Sequence, residues 1–589
     1  MNRLLKRCIC GVLTFAMIFT SSAFTFDINA DAAGYTITKK KMPFYVANET
    51  TKLNQYVYFV NGKDIPYMDM DDLTGLYKMI MQAQGFSKYD LKVKKKGNKY
   101  ILTREDGYKC VMDFKKDKVY FVDYNAFNKN SDENTIMDMV STPVKDSKGR
   151  GIYLKRDASG TVERYGKDIT MNLKNYHIDL VRKGNKYYMP LQTYYDIFFW
   201  QNNLPLLYNG EAVFLVSMDG APLIDGEYNR TAYGKLYYKN KLKKKKLSKA
   251  MTEFNYNELC FCLDHTYGLK EAHNIKKFST LMRNTGLKYY FMSGNSKRID
   301  QAMYILSTRY LDDVHTKYGI PSYTTGYTLR ESLITNYGEG PARDAIFART
   351  DDFIEARAKY YPNGIPAYEE IGDTAFITFD EFAMFTGDTD YYKTPPTADA
   401  KDTMGIIAYS VQKILRPNSP IKNVVLDLSC NGGGAADTAV YTIAAFLGKT
   451  RLSLEDSYTG ALVTSSYLCD TNFDHKFDEN DYLADKGLNL YCLTSGNSFS
   501  CGNLVPCAFK QSGDVTLVGQ TTGGGACSVL WVSSAAGGAI RISSPNRLSF
   551  LKNGAFYDID RGADPDIYLA KKQSFFDRKN LVTMIRSQK

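Results

Sequence analysis

The chain has 589 residues, of which 44% are hydrophobic and 24% are charged, and its net charge is +11. We expect two to four domains because this length exceeds one ordinary core, and the composition excludes a disordered or collagen-like protein. The positive residues are scattered or lie in lysine runs without an aromatic-basic recognition motif, so we expect no nucleic-acid partner.

The N-terminus is typical of a signal peptide. Arg3, Lys6 and Arg7 precede a short apolar run at 8–20, and small residues follow. Residues 1–32 are therefore predicted to be a cleaved signal peptide, with an uncleaved N-terminal anchor as the alternative. We expect a secreted or cell-surface protein. Nine cysteines follow this segment, and their odd number and wide spacing predict buried thiols rather than a disulfide framework.

Residues 34–235 are predicted to form one or two accessory modules rich in β-hairpins. The segment 56–60 alternates and is followed by Asn61-Gly62, which favours a type I′ turn. The sequence Lys-Gly-Asn-Lys-Tyr occurs at 96–100 and again at 183–187. No catalytic constellation is visible in this region. Binding is its expected role, with a cell-wall or surface partner.

The next region, 248–370, is predicted to be a helical cap. A lysine-rich run at 241–246 precedes it and favours a solvated linker. The pattern from 248 to 310 is helical, and it ends in Asp312-Asp313-Val314-His315-Thr316.

Residues 371–589 are predicted to form an α/β domain. An apolar strand at 424–428 runs into the turn 429–434, and a second strand at 488–493 runs into the turn 494–502. A helical pattern follows each turn, which describes parallel strands joined by helices. Such sheets place their chemistry in the loops at the carboxyl ends of the strands.

Ser500 lies in the second turn, at the start of a helix. The free N–H groups of that helix, including the N–H of Cys501, can bind a developing oxyanion. Gly432 and Gly433 allow a second backbone to approach and direct further N–H groups at the same point. These residues predict a nucleophile and an oxyanion hole for acyl transfer. The alternative for Ser500 is a simple helix N-cap.

Four motifs give the region from Thr374 onward its resemblance to a known family. In order, they are Leu426-Asp427-Leu428-Ser429-Cys430-Asn431-Gly432-Gly433-Gly434, Ser498-Phe499-Ser500-Cys501-Gly502-Asn503, Leu517-Val518-Gly519-Gln520-Thr521-Thr522-Gly523 and Gly562-Ala563-Asp564-Pro565-Asp566-Ile567. The region resembles the C-terminal-processing (tail-specific) serine peptidases, including the tricorn core branch. This resemblance implies a crotonase-like core with a ββα-type sheet, a protein or peptide substrate, and catalysis without a cofactor.

The departures from the family pattern bear on the general base. Many members place a lysine 25 residues after the nucleophile, where this chain has Gly525. The tricorn-like branch uses an upstream histidine, and His315 resembles its D-x-H-T motif. An imidazole suits the removal of a serine proton. Asp560 is predicted to orient it, with Asp558 as the reserve; a structural histidine and an ordinary strand-end carboxylate are the alternatives.

The sequence therefore predicts an exported serine endopeptidase that acts through an acyl-enzyme on Ser500. Two alternatives remain at this stage. One is a cysteine hydrolase that uses Cys501, and the other is a catalytically inactive peptidase fold that binds a partner at the cell surface.

A second predicted site is a structural calcium loop. Oxygen-bearing side chains stand at positions 1, 3, 5, 9 and 12 of a twelve-residue segment, and the carbonyl at position 7 is a further ligand. Position 6 holds His475 instead of the usual glycine, so a solvated acidic hairpin is the alternative. The predicted ligands are Asp470, Asn472, Asp474, Lys476, Asp478 and Asp481.

Overall fold

The computed structural model of the chain describes residues 34–46, 52–83, 90–129, 135–140, 153–200, 205–216, 232–238, 240–242, 244–326, 328–384 and 389–587. The predicted signal peptide, 1–32, lies outside these ranges. None of the helices in these ranges has the length and apolar character needed to cross a membrane. All nine cysteines in them are free and buried, as the sequence predicts.

The elements up to residue 242 are mainly strands. They are β1 (Ile37–Val46), β2 (Lys52–Val60), β3 (Tyr67–Asp69), α1 (Met70–Ala83), β4 (Leu91–Lys96), β5 (Lys99–Arg104), β6 (Lys109–Asp113), β7 (Lys118–Phe121), α2 (Tyr124–Phe127), β8 (Leu154–Arg164), β9 (Ile169–Asn172), β10 (Val181–Lys183), β11 (Lys186–Pro190), α3 (Leu191–Phe198), β12 (Leu206–Tyr208), β13 (Val213–Leu215) and α4 (Ala232–Tyr238).

The middle of the chain is mainly helical. Its elements are α5 (Lys249–Thr266), α6 (Phe278–Asn284), α7 (Leu287–Phe291), α8 (Ser296–Ile305), β14 (Lys317–Ile320), α9 (Thr328–Tyr337), α10 (Pro341–Ala358), β15 (Tyr368–Ile371) and β16 (Thr374–Thr378).

Strands and helices alternate over much of the remainder of the chain. These elements are α11 (Thr403–Ile414), β17 (Asn423–Asp427), α12 (Ala436–Leu447), β18 (Thr450–Asp456), β19 (Leu462–Cys469), β20 (Asn489–Thr494), α13 (Cys501–Ser512), β21 (Val515–Gly519), β22 (Cys527–Ser533), β23 (Ala539–Ser549), β24 (Leu551–Lys552), β25 (Ala555–Phe556), β26 (Ile567–Tyr568) and α14 (Arg578–Ser587).

The sheet that carries the predicted chemistry has the order β15-β16-β17-β20-β21-β26, and all its pairs are parallel except β15 with β16. Its strands are apolar on both faces because helices cover both. Val424 and Leu426 point into a core shared with α11, α12 and α13, while Val425 points into a core shared with α10 and α14. The strand–turn–helix repeats expected from the sequence are therefore present, and their turns meet at the carboxyl ends of the strands.

A second sheet joins regions that are distant in sequence. Its order is β14-β23-β18-β19-β8, and β22 also pairs with β23. Strand β8 comes from the predicted accessory region and β14 from the predicted cap, yet both pair with strands of the C-terminal region. The predicted domain limits remain predictions, and backbone pairing joins strands of the regions 34–235 and 248–370 to strands of the region 371–589.

The two copies of Lys-Gly-Asn-Lys-Tyr form the same structure. Each is the tight turn of an antiparallel hairpin, β4–β5 in the first case and β10–β11 in the second. Gly97 and Gly184 both have a φ of 57°, a left-handed conformation that glycine adopts without steric cost. Both repeats therefore form hairpins, while the accessory module predicted over 34–235 stays a prediction.

A buried arginine fixes the last helix to the parallel sheet. Arg578 is 1% exposed, pairs with Glu369, donates to the hydroxyl of Thr378 and lies over the ring of Phe376. One of its nitrogens is also 4.0 Å from a carboxylate oxygen of buried Asp427. Removing the arginine would leave buried acceptors without their cation.

We expect Arg578→Ala to lower the free energy of unfolding by about 3–5 kcal/mol, the usual cost of breaking a buried ion pair from one side. Arg586 on the same helix is the matched control, since its side chain is 51% exposed and pairs with Asp373. Its replacement by alanine should cost under about 1 kcal/mol. Urea unfolding followed by circular dichroism measures both, and equal losses would contradict the assignment.

Candidate active site

Ser500 sits in a strained turn between β20 and α13. Its φ is 56° and its ψ is −121°, a region that residues with a side chain rarely occupy. Its N–H donates to the carbonyl of Gly524 at 2.8 Å, and its carbonyl accepts the N–H groups of Asn503 and Leu504 at 2.9 Å. Because the backbone is held on both sides, the strain persists, as is common at functional sites. Among the bonds that the structure describes, the Ser500 hydroxyl has none, so it does not act as a side-chain N-cap.

The glycine turn after β17 lies directly against Ser500. A Cβ atom built on Gly433 would be 2.7 Å from Cβ of Ser500, so only glycine fits there. Asn431 links the two turns, since its carbonyl accepts the N–H of Phe499 at 3.1 Å. The two turns predicted from sequence therefore meet as expected for parallel neighbours.

The N–H groups at this point are not equivalent. That of Gly432 donates to the carbonyl of Asp380 at 3.1 Å, and that of Gly433 donates to the side chain of Asn431 at 2.9 Å. The described hydrogen bonds include none from the N–H of Cys501, whereas the N–H of Gly434 interacts with the Cys501 thiol. The N–H of Cys501 is therefore the available oxyanion donor, while the N–H groups of Gly432 and Gly433, predicted from sequence, donate to other acceptors.

His315 lies beside the nucleophile turn. It is 5% exposed, its ring centroid is 4.7 Å from that of Phe499, and its carbonyl accepts from Arg541 at 2.6 Å. Burial lowers the pKa of His315 to about 4; Asp313 opposes this shift, while Arg541 and Arg343 add to it. The imidazole is therefore neutral at physiological pH. The described hydrogen bonds include none between its ring and Ser500.

One cavity of about 660 Å³ is lined by the predicted nucleophile, Ser500, and the predicted base, His315. Helix α10 forms part of its wall and is tied to the nucleophile turn, because Arg349 donates to the side chain of Asn497 at 3.0 Å and to the carbonyl of Gly496 at 3.1 Å. The predicted helical region thus covers the sheet where a substrate would lie. The lining includes His315, Ser500, Gly432, Gly434, Cys501, Ile346, Phe347 and Arg541.

Asp560, the predicted third member of a triad, contacts the backbone instead of His315 in this structure. One of its oxygens accepts the N–H groups of Gly525 and Ala526, at 3.1 and 2.6 Å. Burial raises the pKa of Asp560. Asp558 accepts the N–H of Asp560 at 2.9 Å and lies 3.8 Å from Arg547. The described contacts of both carboxylates support turn structure, and the role of either with His315 stays a prediction.

The position of the family's lysine cannot accept a side chain here. Gly525 has a φ of 94°, and a Cβ on it would be 2.7 Å from the ring of Phe499. Asn503, which replaces the glutamate usual in the nucleophile motif, is fully buried and bonded on both sides. It donates to the carbonyl of Ile559 at 2.9 Å and accepts from the hydroxyl of Thr522 at 2.6 Å.

The cysteines near the site are poor nucleophiles. Cys501 is buried, its thiol donates to the carbonyl of Gly434, and burial raises its pKa to about 12. Burial also raises the pKa of Cys430 to about 12 and that of Cys527 well above its usual value. The thiolate is the reactive form, so these environments disfavour the cysteine-hydrolase alternative.

In the predicted calcium loop, two of the proposed ligand carboxylates accept hydrogen bonds from backbone N–H groups of the same loop. Asp470 accepts the N–H groups of Phe473 and His475, and Asp481 accepts those of Thr471, Asn472 and Asp478. Within the described ranges, no group of three or more His, Cys, Asp or Glu side chains has a geometry that could hold a metal ion. The calcium site therefore remains a prediction.

Titration calorimetry with calcium is the corresponding test. If the loop binds the ion, we expect a saturable heat and a rise in melting temperature that Asp470→Ala/Asp474→Ala abolishes. The exposed pair Asp351→Ala/Asp352→Ala on α10 controls for a general loss of negative charge. A calcium response that is absent from the unaltered chain would reject the site and leave the solvated hairpin.

Residues 384–569 match the sequence model described as peptidase family S41. Over this segment, which includes both turns of the site, the chain resembles peptidase family S41. The predicted C-terminal-processing family and the serine-type peptidase class are confirmed, while the histidine in place of the lysine stays a prediction. No curated protein matches the chain at a significant level.

Several solved structures also resemble parts of the chain. The photosystem II D1 C-terminal processing protease is 18% identical over 33% of this chain and 42% of its own length, with a TM-score of 0.25. A lipoprotein from Streptococcus agalactiae is 13% identical over 57% of this chain and 96% of its own length, with a TM-score of 0.34. The tricorn protease is 16% identical over 42% of this chain and 20% of its own length, with a TM-score of 0.23. Scores this low do not establish a common arrangement of the whole chain.

Proposed function

We propose that the protein is an exported serine endopeptidase that hydrolyses peptide bonds through an acyl-enzyme on Ser500. The observation that carries the proposal is the strained Ser500, which has a free hydroxyl and faces the same cavity as the neutral imidazole of His315. A serine held at a positive φ between two fixed backbone segments presents its oxygen to a substrate at little reorganisation cost.

The mechanism follows from these groups. His315 takes the proton from the Ser500 hydroxyl as its oxygen attacks the substrate carbonyl. The N–H group of Cys501 stabilises the oxyanion, aided by the N-terminus of α13. The imidazolium then gives its proton to the leaving amine, and a water activated by the same imidazole hydrolyses the ester. Asp560 is the proposed orienting carboxylate.

Casein hydrolysis by the purified chain tests the activity directly. We expect release of peptides by the unaltered chain and labelling by a fluorophosphonate, which reacts with an activated serine. An unaltered chain that neither cleaves casein nor reacts with the probe would favour the alternative of an inactive binding protein.

Export is the second part of the proposal, and the Arg-Lys-Arg start and apolar run of residues 1–32 support it. N-terminal sequencing of the protein from the culture medium should give a chain that begins near residue 33. For residues 34–235, we propose that the N-terminal strands bind a cell-wall or surface partner.

A further inference from the structure

One wall of the cavity carries a cation without a carboxylate partner. Arg541 lies on β23, and its Nε donates to the carbonyl of His315 at 2.6 Å. Among the described residues, its two terminal nitrogens have no hydrogen bond and no ion pair. Arg541 lines the same cavity as Ser500, and the residue it holds packs against Phe499, the neighbour of the nucleophile.

The charges around Arg541 leave it in need of an anion. Lys317 is its direct partner across the β14–β23 pair, and like charges in that position are destabilising. The Lys317 amine lies 5.7 Å from the ring centroid of Trp531, and burial together with Arg541 and Arg343 lowers its pKa to about 8. A cationic pair that is partly withdrawn from water attracts a carboxylate strongly.

The nearby carboxylates are already engaged elsewhere. Glu339 forms a close ion pair with Arg343 at 2.9 Å. Asp313 attracts Arg541, but its oxygens accept from Thr316, Tyr267 and Ser543. Neither therefore occupies the free edge of the Arg541 guanidinium.

We propose that Arg541 forms a carboxylate-binding subsite beside Ser500, so that the enzyme prefers peptides with a carboxylate at the position that reaches this guanidinium. The carboxylate is either an aspartate or glutamate side chain or the C-terminus of the peptide. Arginine suits this task because its planar edge offers two parallel donors to one carboxylate. The inference rests on the proposed function, because it concerns the substrate of the same site.

Binding to the Ser500→Ala protein tests the subsite without requiring cleavage. The probes are fluorescein-labelled octapeptides of alanine and serine. Each contains one glutamate, or one glutamine in its neutral twin, and the set places this residue at every position in turn. Each peptide is made with a free and with an amidated C-terminus. We expect one acidic form to bind about tenfold more tightly than its neutral twin, the usual size of one charge-assisted contact. A preference that follows the glutamate identifies a side chain, and one that follows the free terminus identifies the C-terminus.

Two further substitutions in the Ser500→Ala background separate recognition from a structural role. Arg541→Gln should reduce the acid-to-neutral preference to under about twofold, and Arg541→Lys should keep part of it. Arg451→Gln, an exposed arginine on β18 of the same sheet, should keep all of it. If Arg541 has only a structural role, its replacement should weaken the binding of both peptides equally and lower the melting temperature. If it binds the carboxylate, its replacement removes the repulsion with Lys317 and should not lower the melting temperature.

Equal binding of acidic and neutral twins, or no binding of any acidic peptide, would overturn the subsite. So would a preference that survives Arg541→Gln. The assay measures affinity and does not depend on cleavage. An unaltered chain that fails to cleave casein would therefore count against the proposed function without deciding whether Arg541 binds a carboxylate.

Discussion

Replacing Ser500 by alanine is expected to reduce kcat/KM for a peptide substrate by about 10⁴- to 10⁶-fold, the loss typical of a removed nucleophile. The alanine keeps the turn small, although the positive φ at 500 remains strained. The fold should persist, because the described backbone bonds of residue 500 do not involve its side chain. Cleavage of a fluorogenic peptide measures the effect, and circular dichroism checks the fold.

Ser512, at the other end of α13, is the matched control. Its hydroxyl donates to the carbonyl of Phe509 at 2.9 Å, far from the cavity lining, and Ser512→Ala should keep activity within about twofold. Cys501→Ala should retain fluorophosphonate labelling, since the oxyanion donor at that position is its backbone N–H. Labelling that persists in Ser500→Ala, or disappears in Cys501→Ala, would move the nucleophile away from Ser500.

Replacing His315 by alanine should reduce kcat/KM by about 10²- to 10⁴-fold, the contribution of a positioned general base. His265 is the matched control: its imidazole is half-buried, and its Nδ1 lies 2.7 Å from the carbonyl of Phe261, away from the cavity lining. His265→Gln should change the rate little. A His315→Ala protein with the full rate would exclude the imidazole from the reaction.

The pH dependence gives the same base a second signature. A protonated imidazole cannot take the serine proton, so the rate falls as the pH drops through the pKa of His315. With that pKa near 4, kcat/KM should stay level from neutral pH to about pH 5 and fall below it. A fall centred near pH 6.5, the ordinary pKa of histidine, would show that the imidazole is solvated in the free enzyme.

The local elements of the α/β region were predictable because each has a strong sequence pattern. The all-apolar run ending at Asp427 required a strand covered on both faces, and the glycines after it required a turn. The pairing of β8 with β19 was not predictable, since alternation in β8 indicates a strand without indicating its partner 300 residues away. Register over such a distance is decided by tertiary packing.

The site was predictable in its residue types and less so in their contacts. Motif order predicted Ser500 and the glycine turn, but it could not tell that the Gly433 N–H donates to the side chain of Asn431. Asp560 was predicted from its position before Gly562, whereas its contacts depend on where the Gly525 backbone turns. Arg541 was missed, although a lone arginine inside the apolar strand Ala-Ile-Arg-Ile was the available signal.

The placement of β8 at the edge of the second sheet has a consequence for how the chain reaches its native state. Thr464 pairs with Val162, so this edge can close only after the chain has been synthesised beyond residue 469. Until then β8 has no partner strand, and closing the long loop between β8 and β19 slows folding. The β8–β19 pair thus forms late, and β19 would be left as an open edge in any shortened chain that begins after residue 164.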